Sequence, residues 1–425
     1  MISDELILYR NFRSRQLLED LITLFEGEGS MMLAYDAAGR LVTMAAEMGF
    51  TGNLWHKYLT YLLANNENSF SKACEIRGHV DGTLNDIALH DMDIFYQMFY
   101  FNLLDIDRKY RIECFAPLTD FKLDDEGKMF NRRIRDRISE LSDNLAGAAD
   151  AAEIKRLTES FYKDYGVGLF GLHKAFKIHE SLTENSFEIE PIKRVAHINL
   201  EDLVGYEIQK KKLIENTEAF INALPANNCL LYGDSGTGKS SSIKGIMNRY
   251  YDRGLRIIEL YKHQFRFLHD IMARLKERNY RFIIYMDDLS FEDKETEYKY
   301  LKAIIEGGLE KKPENVLIYA TSNRRHLIHE GFKDKLDRGE NDDIHESDTV
   351  EEKLSLYHRF GMTIYYGRPT PKEYRHIVAE LAKRKGMAMP EDELLLLANQ
   401  WEIEHGGLSG RTASQFIDHL SGKGN

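Results

Sequence analysis

Eight consecutive residues near the middle of the chain constrain its fold more than any other segment. Residues 233–240 read Gly-Asp-Ser-Gly-Thr-Gly-Lys-Ser and fit the pattern G-x-x-x-x-G-K-S/T. In this pattern the glycines let the backbone turn tightly, so that several N–H groups point inward at a phosphate group. The apolar run 228–232 just before it reads as a short buried strand, which is the context that the pattern requires. The sequence therefore predicts a strand, a phosphate-binding loop and a helix over residues 240–250.

The chemistry of this loop indicates a nucleoside triphosphate with Mg²⁺ as its ligand. The Lys239 ammonium suits the β- and γ-phosphate oxygens, and the Ser240 hydroxyl suits the coordination shell of Mg²⁺. The positive end of the following helix would also face the phosphates. The predicted nucleotide contacts in the loop are Gly233, Asp234, Ser235, Gly236, Thr237, Gly238, Lys239, Ser240 and Ser241.

A pair of acids follows a second apolar run about fifty residues downstream. Residues 282–286 read as a buried parallel strand that ends in Asp287 and Asp288. Ligands of open α/β sheets bind at the carboxyl ends of such strands. Asp287 is therefore predicted to hold Mg²⁺ together with Ser240, and Asp288 to orient and polarise the attacking water.

Composition and charge limit the class of protein. With 425 residues, 43% hydrophobic and 30% charged, the chain is long enough for two or three domains with their own cores. The net charge of −12 argues against a surface devoted to nucleic acid, although a local basic channel stays open. The three cysteines are too few and too widely spaced for a disulfide framework or a zinc site, which favours a reducing compartment.

No targeting or membrane segment is apparent in the sequence. The N-terminus lacks a basic stretch followed by an apolar one, and no apolar run approaches the roughly 20 residues that span a bilayer. We therefore expect a cytoplasmic protein with no membrane association.

Hydrophobic periodicity divides the chain into three predicted domains. Residues 1–195 have apolar side chains at helical spacing and are predicted to be mostly helical. Residues 196–366 alternate strands with helices, which predicts an α/β core with a five-stranded parallel sheet. Residues 367–425 are predicted to form a small helical lid, whose first helix begins at a capping box of Thr370 and Glu373.

A second glycine-rich segment does not predict a cofactor site. Residues 166–171 match G-x-G-x-x-G, but the preceding segment 157–165 reads as a helix rather than a strand. Because the dinucleotide fingerprint needs a strand before it, we interpret these glycines as a turn between helices.

With these parts in place, the chain resembles the AAA+ ATPases, and more narrowly a bacterial family of predicted AAA+ ATPases of unassigned cellular role. The resemblance covers residues 198–416. It implies a P-loop AAA+ core, a C-terminal helical lid, and ATP with Mg²⁺ as ligands. The segment with Gly205 is similar to the AAA+ segment beside the adenine ring. The matching segments are 202–207, 225–228, 287–292, 320–326 and 408–413.

The resemblance also assigns roles to individual polar residues. Asn323 matches the sensor-1 position, where its amide would contact the γ-phosphate or the attacking water. Arg411 matches sensor 2, whose guanidinium would couple the lid to the nucleotide state. Arg359 is the first candidate for an arginine finger that reaches a neighbouring subunit, and Arg324 and Arg325 compete for that role.

The function implied by the resemblance is ATP hydrolysis that drives a conformational change, in an ATP-dependent homo-oligomer that acts on an unidentified macromolecular client. The N-terminal domain would recognise that client. Most AAA+ proteins have Glu where this chain has Asp288, which is one methylene shorter, so we expect slow turnover unless Glu292 assists. A switch or scaffold that binds ATP with little hydrolysis is the alternative, and helicase-loader or transposition-helper roles also stay open. A kinase fits poorly, because the kinase catalytic-loop and D-F-G signatures are absent.

Overall fold

The computed structural model describes residues 2–12, 15–123, 131–181, 186–193, 195–291, 297–306, 312–323 and 357–422. The chain divides into two compact units, residues 1–173 and 174–425.

The first unit is built from α-helices. Asparagine, serine and aspartate side chains cap several of their N-termini, as Ser30, Asn53 and Asp150 do by accepting backbone N–H groups. The apolar faces close on one core, in which Trp55 is fully buried and donates its indole N–H to the Met98 carbonyl at 2.7 Å. The described helices are α1 (Arg15–Glu26), α2 (Met31–Met48), α3 (Leu54–Asn65), α4 (Ser69–Arg77), α5 (Thr83–Phe99), α6 (Leu103–Tyr110), α7 (Arg132–Ala146), α8 (Ala151–Tyr165) and α9 (Gly168–Leu172).

The glycine-rich segment 166–171 joins two of these helices. Gly166 follows the last residue of α8 with φ of 77°, and α9 begins two residues later at Gly168. The segment is preceded by a helix rather than by a strand. The interpretation of this motif as a turn between helices is confirmed.

The second unit contains a seven-stranded mixed sheet in the order β2-β1-β4-β5-β6-β3-β7. Neighbouring strands pair in parallel except β1 and β2, which are antiparallel. The sequence predicted five strands, and the sheet has two more because β1 and β2 precede the predicted set. The strands are β1 (Ala175–Glu180), β2 (Phe187–Pro191), β3 (Cys229–Gly233), β4 (Leu255–Glu259), β5 (Arg281–Met286), β6 (Val316–Ser322) and β7 (Met362–Tyr366).

Strands β1 and β2 come from the part of the chain that the sequence analysis assigned to the N-terminal domain. Strand β1 pairs with β4, so these residues belong to the sheet, and the compact unit begins at Lys174 rather than near residue 196. The signal for these strands was the alternation of Phe176 with Ile178 and of Phe187 with Ile189.

Helices cover the sheet and complete its core. On one face, apolar side chains of α10 and α11, including Leu213, Ile243 and Ile246, join a cluster with Leu231 and Ile283 of the strands. Residues of β5 that point to the other face are also buried, so both faces of the sheet are covered. The described helices between the strands are α10 (Glu207–Ile221), α11 (Lys239–Tyr250), α12 (Leu268–Lys276) and α13 (Tyr298–Glu306).

Three helices follow the last strand: α14 (Pro371–Arg384), α15 (Glu391–Glu404) and α16 (Gly410–Gly422). They pack around their own apolar cluster, which includes Tyr374, Ala398 and Phe416. The predicted capping box is present, because the Thr370 hydroxyl accepts the Glu373 N–H and the Glu373 carboxylate accepts the Thr370 N–H. Among the described helices, none combines the length and apolar character needed to cross a bilayer.

Candidate nucleotide-binding site

The loop between β3 and α11 has a backbone conformation that requires glycine. The φ angles of Gly233, Gly236 and Gly238 are 133°, 75° and 93°. A Cβ atom on Gly233 would come within 2.2 Å of the Tyr366 carbonyl oxygen, so no side chain fits there. The Asp234 N–H donates to the same carbonyl at 3.0 Å and so ties the loop to the end of β7. A loop of this kind leaves successive N–H groups free to surround an anion.

Lys239 lies at the start of α11 and folds over the loop. Its ammonium donates to the carbonyl oxygens of Gly233 at 2.9 Å and Asp234 at 2.5 Å, and the residue is only 6% exposed. Burial lowers the pKa of Lys239, although the negative charges of Asp234, Asp288 and Asp287 oppose the shift. Phosphate oxygens would be stronger acceptors for this ammonium than the two carbonyls that it contacts.

Ser240 and Asp287 are in direct contact. The Ser240 hydroxyl donates to Asp287 Oδ1 at 2.8 Å, and the Thr321 hydroxyl donates to the same oxygen at 2.5 Å. Burial opposes ionisation of Asp287, but the polar groups of Thr321, Tyr285 and Ser240 outweigh it and lower the pKa of the carboxyl. Asp287 is therefore ionised at neutral pH, as a ligand of magnesium must be.

Asp288 is oriented by the neighbouring strand. Its N–H donates to Thr321 Oγ1 at 2.9 Å, and the Asn323 amide donates to Asp288 Oδ1 at 2.8 Å. The φ of Asp288 is 49°, a left-handed conformation that residues other than glycine rarely adopt. The Leu289 N–H donates to the Thr321 carbonyl at 2.7 Å and so holds the chain in this turn.

The strand order explains why these side chains meet. Strand β6 lies between β5 and β3, so Thr321 and Asn323 emerge between the phosphate-binding loop and the two acids. All three strands are parallel, so their carboxyl ends share one edge of the sheet. The structure therefore brings Lys239, Ser240 and Asn323 together with Asp287 and Asp288.

Arg411 reaches this site from the C-terminal helices. Its backbone N–H donates to the Gly236 carbonyl at 3.1 Å. A Cβ atom on Gly236 would lie 3.0 Å from both Arg411 Cβ and Ser409 Oγ. Burial is the main cause of the lowered pKa of Lys239, and the positive charge of Arg411 adds to it. The start of α16 and the loop are thus in contact, and Arg411 is close enough for its charge to act on Lys239.

The segment with Gly205 passes along the other side of the loop. Leu203 Cδ2 lies 3.4 Å from the position of a Cβ on Gly238, and the Tyr206 hydroxyl donates to the Gly367 carbonyl at 2.9 Å. Between these anchors, Gly205 has φ of 82°, and no atom lies within 4 Å of where its Cβ would be. There is therefore open space above the backbone at the position predicted to lie beside the base.

Arg359 is not brought to this site. It precedes β7, which runs parallel to β3, and so it lies beyond the amino end of the strand, opposite the loop. The strand alone spans about 13 Å at the usual rise per residue. The competing candidates Arg324 and Arg325, and the acid Glu292, lie outside the described residues.

The donor set suits a magnesium-bound triphosphate better than a metal held by protein alone. Among the described residues, no group of three or more His, Cys, Asp and Glu side chains could hold a metal ion. Ser240 and Asp287 offer two oxygen ligands, and Mg²⁺ takes its remaining ligands from phosphates and water. The first turn of α11, which includes the half-buried Ser241, adds N–H groups for the phosphates, and Ser235 is exposed at the tip of the loop.

Three residues of the site were missed by the sequence analysis. Thr321 lies two residues before Asn323 and bonds to both acids. Tyr285 lies on β5 two residues before Asp287 and is 3% exposed. Arg368 donates its N–H to Asp234 Oδ2 at 3.1 Å and places its guanidinium 3.4 Å from Oδ1. Strand alternation was a signal for the first two, whereas no local pattern indicates Arg368 because its partner is distant in sequence.

A comparison with protein families matches the second unit. A family described as "Protein of unknown function (DUF815)" matches residues 172–424. No curated protein matches the chain. Among solved structures, two mutants of RuvB from Thermotoga maritima are 16% and 17% identical, with TM-scores of 0.36 and 0.37. Each match covers 53% of this chain and 64% or 65% of the other, so the chain spans less than two thirds of either structure.

Proposed function

The chain belongs to the DUF815 family, a family of predicted AAA+ ATPases, and on this premise we propose that it hydrolyses ATP to drive a conformational change in a macromolecular partner. The observation that carries the proposal is the hydrogen-bonded group at one edge of the sheet. Ser240 bonds to Asp287, and Asn323 bonds to Asp288, although these residues come from three different segments. Such a group has the positions that phosphoryl transfer to water needs.

In the proposed cycle each side chain acts on charge or on orientation. The Lys239 ammonium exchanges its two loop carbonyls for phosphate oxygens, and the N–H groups of the loop bind the β-phosphate. Ser240 and Asp287 would hold magnesium, and the ion would supply neutralisation of charge on the phosphate oxygens. Asp288 accepts a proton from, and orients, the attacking water, while Asn323 keeps the Asp288 carboxylate in place.

The C-terminal helices are proposed to act as the lid. The backbone N–H of Arg411 itself makes the contact between α16 and Gly236, so a phosphate that attracts the Arg411 guanidinium would hold the start of α16 against the loop. Residues 174–366, which include β1 and β2, would then be the α/β core and residues 367–425 the moving part. Residues 1–173 are proposed to recognise the client.

Arg359 is proposed to act in a neighbouring copy. It is exposed and lies at the edge of the sheet opposite its own loop, so it cannot serve the nucleotide of its own chain. Placed in the site of a second copy, its guanidinium would stabilise charge that develops during hydrolysis. This arrangement requires an oligomer, and the site would be incomplete without the neighbour.

One observation favours the second candidate function, an ATP-dependent switch or scaffold with little hydrolysis. The carboxylate of Asp288 already accepts a hydrogen bond from Asn323 at 2.8 Å, and its side chain is shorter than glutamate. A base that is both short and engaged would act slowly on water. Turnover at saturating Mg-ATP separates the two functions.

Two variants test the proposal, with one control. We expect Lys239→Ala to abolish binding of a fluorescent ATP analogue, and Asp288→Asn to retain binding but to release phosphate at least about 100-fold more slowly. Lys211→Ala is the control, because it removes an exposed positive charge on α10 away from the loop. If wild-type protein binds no ATP, the proposal fails. If Asp288→Asn releases phosphate at the wild-type rate, the role of Asp288 fails and the switch function is favoured.

A further inference from the structure

The hydroxyl group of Tyr285 is buried beside the two proposed magnesium ligands without a partner. Tyr285 is 3% exposed, and its hydroxyl makes no hydrogen bond with any residue that the structure describes. It lies on β5, and Asp287 is the first residue after that strand, two positions further along the chain. Because unpaired buried hydroxyl groups are costly and rare, this one needs an explanation.

The residues that align with Tyr285 across the sheet are paired. Tyr319, its neighbour on β6, shares its hydroxyl with Thr217 at 2.8 Å and accepts from Asn216 at 3.0 Å. Glu259, its neighbour on β4, accepts a hydrogen bond from the Tyr261 hydroxyl at 3.3 Å. The unsatisfied hydroxyl is thus a property of Tyr285 and not of this layer of the core.

The carboxylate of Asp287 has an unused acceptor next to this hydroxyl. The bonds from Ser240 and Thr321 both reach Oδ1, and no described residue donates to Oδ2. A tyrosine hydroxyl has an ordinary pKa of about 10, so it keeps its proton at neutral pH and can donate to a carboxylate. The Tyr285 hydroxyl and the Asp287 carboxylate are therefore close enough for the charge of Asp287 to act on Tyr285, yet no hydrogen bond of normal geometry joins them.

We propose that Tyr285 is an outer-shell positioning residue for magnesium, whose hydroxyl donates to Asp287 when the carboxylate turns toward the metal and its water ligands. This inference rests on the proposed function. Outer-shell donors fix the plane of a ligating carboxylate, and removing them weakens metal binding. In the metal-free protein the same hydroxyl is buried without a hydrogen bond, which lowers the free energy of unfolding. Tyr285 thus lowers the stability of the empty site and raises the affinity of the filled one.

Two measurements of opposite sign test this role in Tyr285→Phe. We expect the dissociation constant for Mg²⁺, titrated against protein with bound ADP and a fluorescent nucleotide as reporter, to rise about tenfold. Nucleotide affinity in EDTA should not change. The urea midpoint of the nucleotide-free variant should equal or exceed that of the wild type, because the variant removes a buried hydroxyl that has no partner.

Tyr319→Phe is the matched control. Tyr319 is also fully buried and lies beside Tyr285 on the next strand, but its hydroxyl is hydrogen-bonded to Thr217 at 2.8 Å and to Asn216 at 3.0 Å. This variant should lower the urea midpoint and leave the Mg²⁺ constant unchanged. Either of two results for Tyr285→Phe would overturn the inference: an unchanged dissociation constant for Mg²⁺, or a urea midpoint below that of the wild type. If the wild-type protein shows no Mg²⁺-dependent nucleotide binding, the proposed function itself fails. If the wild-type protein binds nucleotide with Mg²⁺ and Tyr285→Phe binds Mg²⁺ equally well, only the inference about Tyr285 fails.

Discussion

Replacing Thr321 with valine should destabilise the protein through two lost hydrogen bonds. Thr321 is 2% exposed, and its hydroxyl donates to Asp287 and accepts the N–H of Asp288. A hydrogen bond to a charged group contributes about 1.5–3 kcal/mol, and the lower end applies here because water reaches the exposed Asp287. Leaving the Asp288 N–H without its acceptor costs about 1 kcal/mol more. Valine has a similar shape, so the hydroxyl is the main loss, although such a swap still changes the polarity of the site.

The expected decrease in the free energy of unfolding is therefore about 2.5 kcal/mol at pH 7. For a unit of this size, that corresponds to a melting temperature roughly 5–10 °C lower. Urea unfolding followed by circular dichroism measures the difference. Thr321→Ser is the control, because it keeps the hydroxyl and loses one methyl group, worth about 0.8 kcal/mol.

The effect should depend on pH in one direction. The pKa of Asp287 lies below its ordinary value of 3.8 in the folded protein, so the stabilisation from its ionised form is present above that value and is lost as pH falls through the folded pKa. The difference between wild type and Thr321→Val should shrink below about pH 4 to the contribution of the Asp288 N–H. Equal stability of the valine and serine variants at pH 7 would refute this reasoning.

Three further predictions concern the loop and the proposed finger. Gly233→Ala should lower the free energy of urea unfolding by at least about 3 kcal/mol, because the new Cβ would meet the Tyr366 carbonyl. The control Gly254→Ala, where φ is 86° and no atom lies near the new Cβ, should lower it by about 1 kcal/mol. Equal losses in the two variants would contradict the close contact at Gly233. A double-mutant cycle of Asp234→Asn with Arg368→Gln should give a coupling energy of about 0.5 kcal/mol, because the pair is largely exposed. Coupling that persists in about 1 M salt would argue against an ion pair. Arg359→Ala should keep its nucleotide affinity but lose phosphate release about 1,000-fold. Mixing it with Asp288→Asn copies should restore part of that activity, and no recovery would contradict action in a neighbouring copy.

Much of the local structure followed from the sequence. The span of β5, the glycine loop and the capping box at Thr370 depend on contacts between residues a few positions apart, which repeat wherever the same residues occur in the same order. The alternating segments that became β1 and β2 carried a weaker signal. Their polar positions fit an edge strand of a sheet as well as they fit the surface of a helix. Whether these segments form strands or helices therefore depends on the pairing of β1 with β4.

The sequence alone determined which residues are candidates for the proposed chemistry: a loop that can surround phosphate, a lysine and a serine after it, and two acids after a strand end. The tertiary structure alone decided how they meet. Only the position of β6 between β5 and β3 puts Thr321 in contact with both Asp287 and Asp288, and the packing of α10 and α11 on the strands puts Tyr285 into a buried core. The physical reason is the distance along the chain over which each interaction acts. Local backbone conformation depends on neighbouring residues. Strand order and burial depend on contacts between segments that are far apart in the sequence.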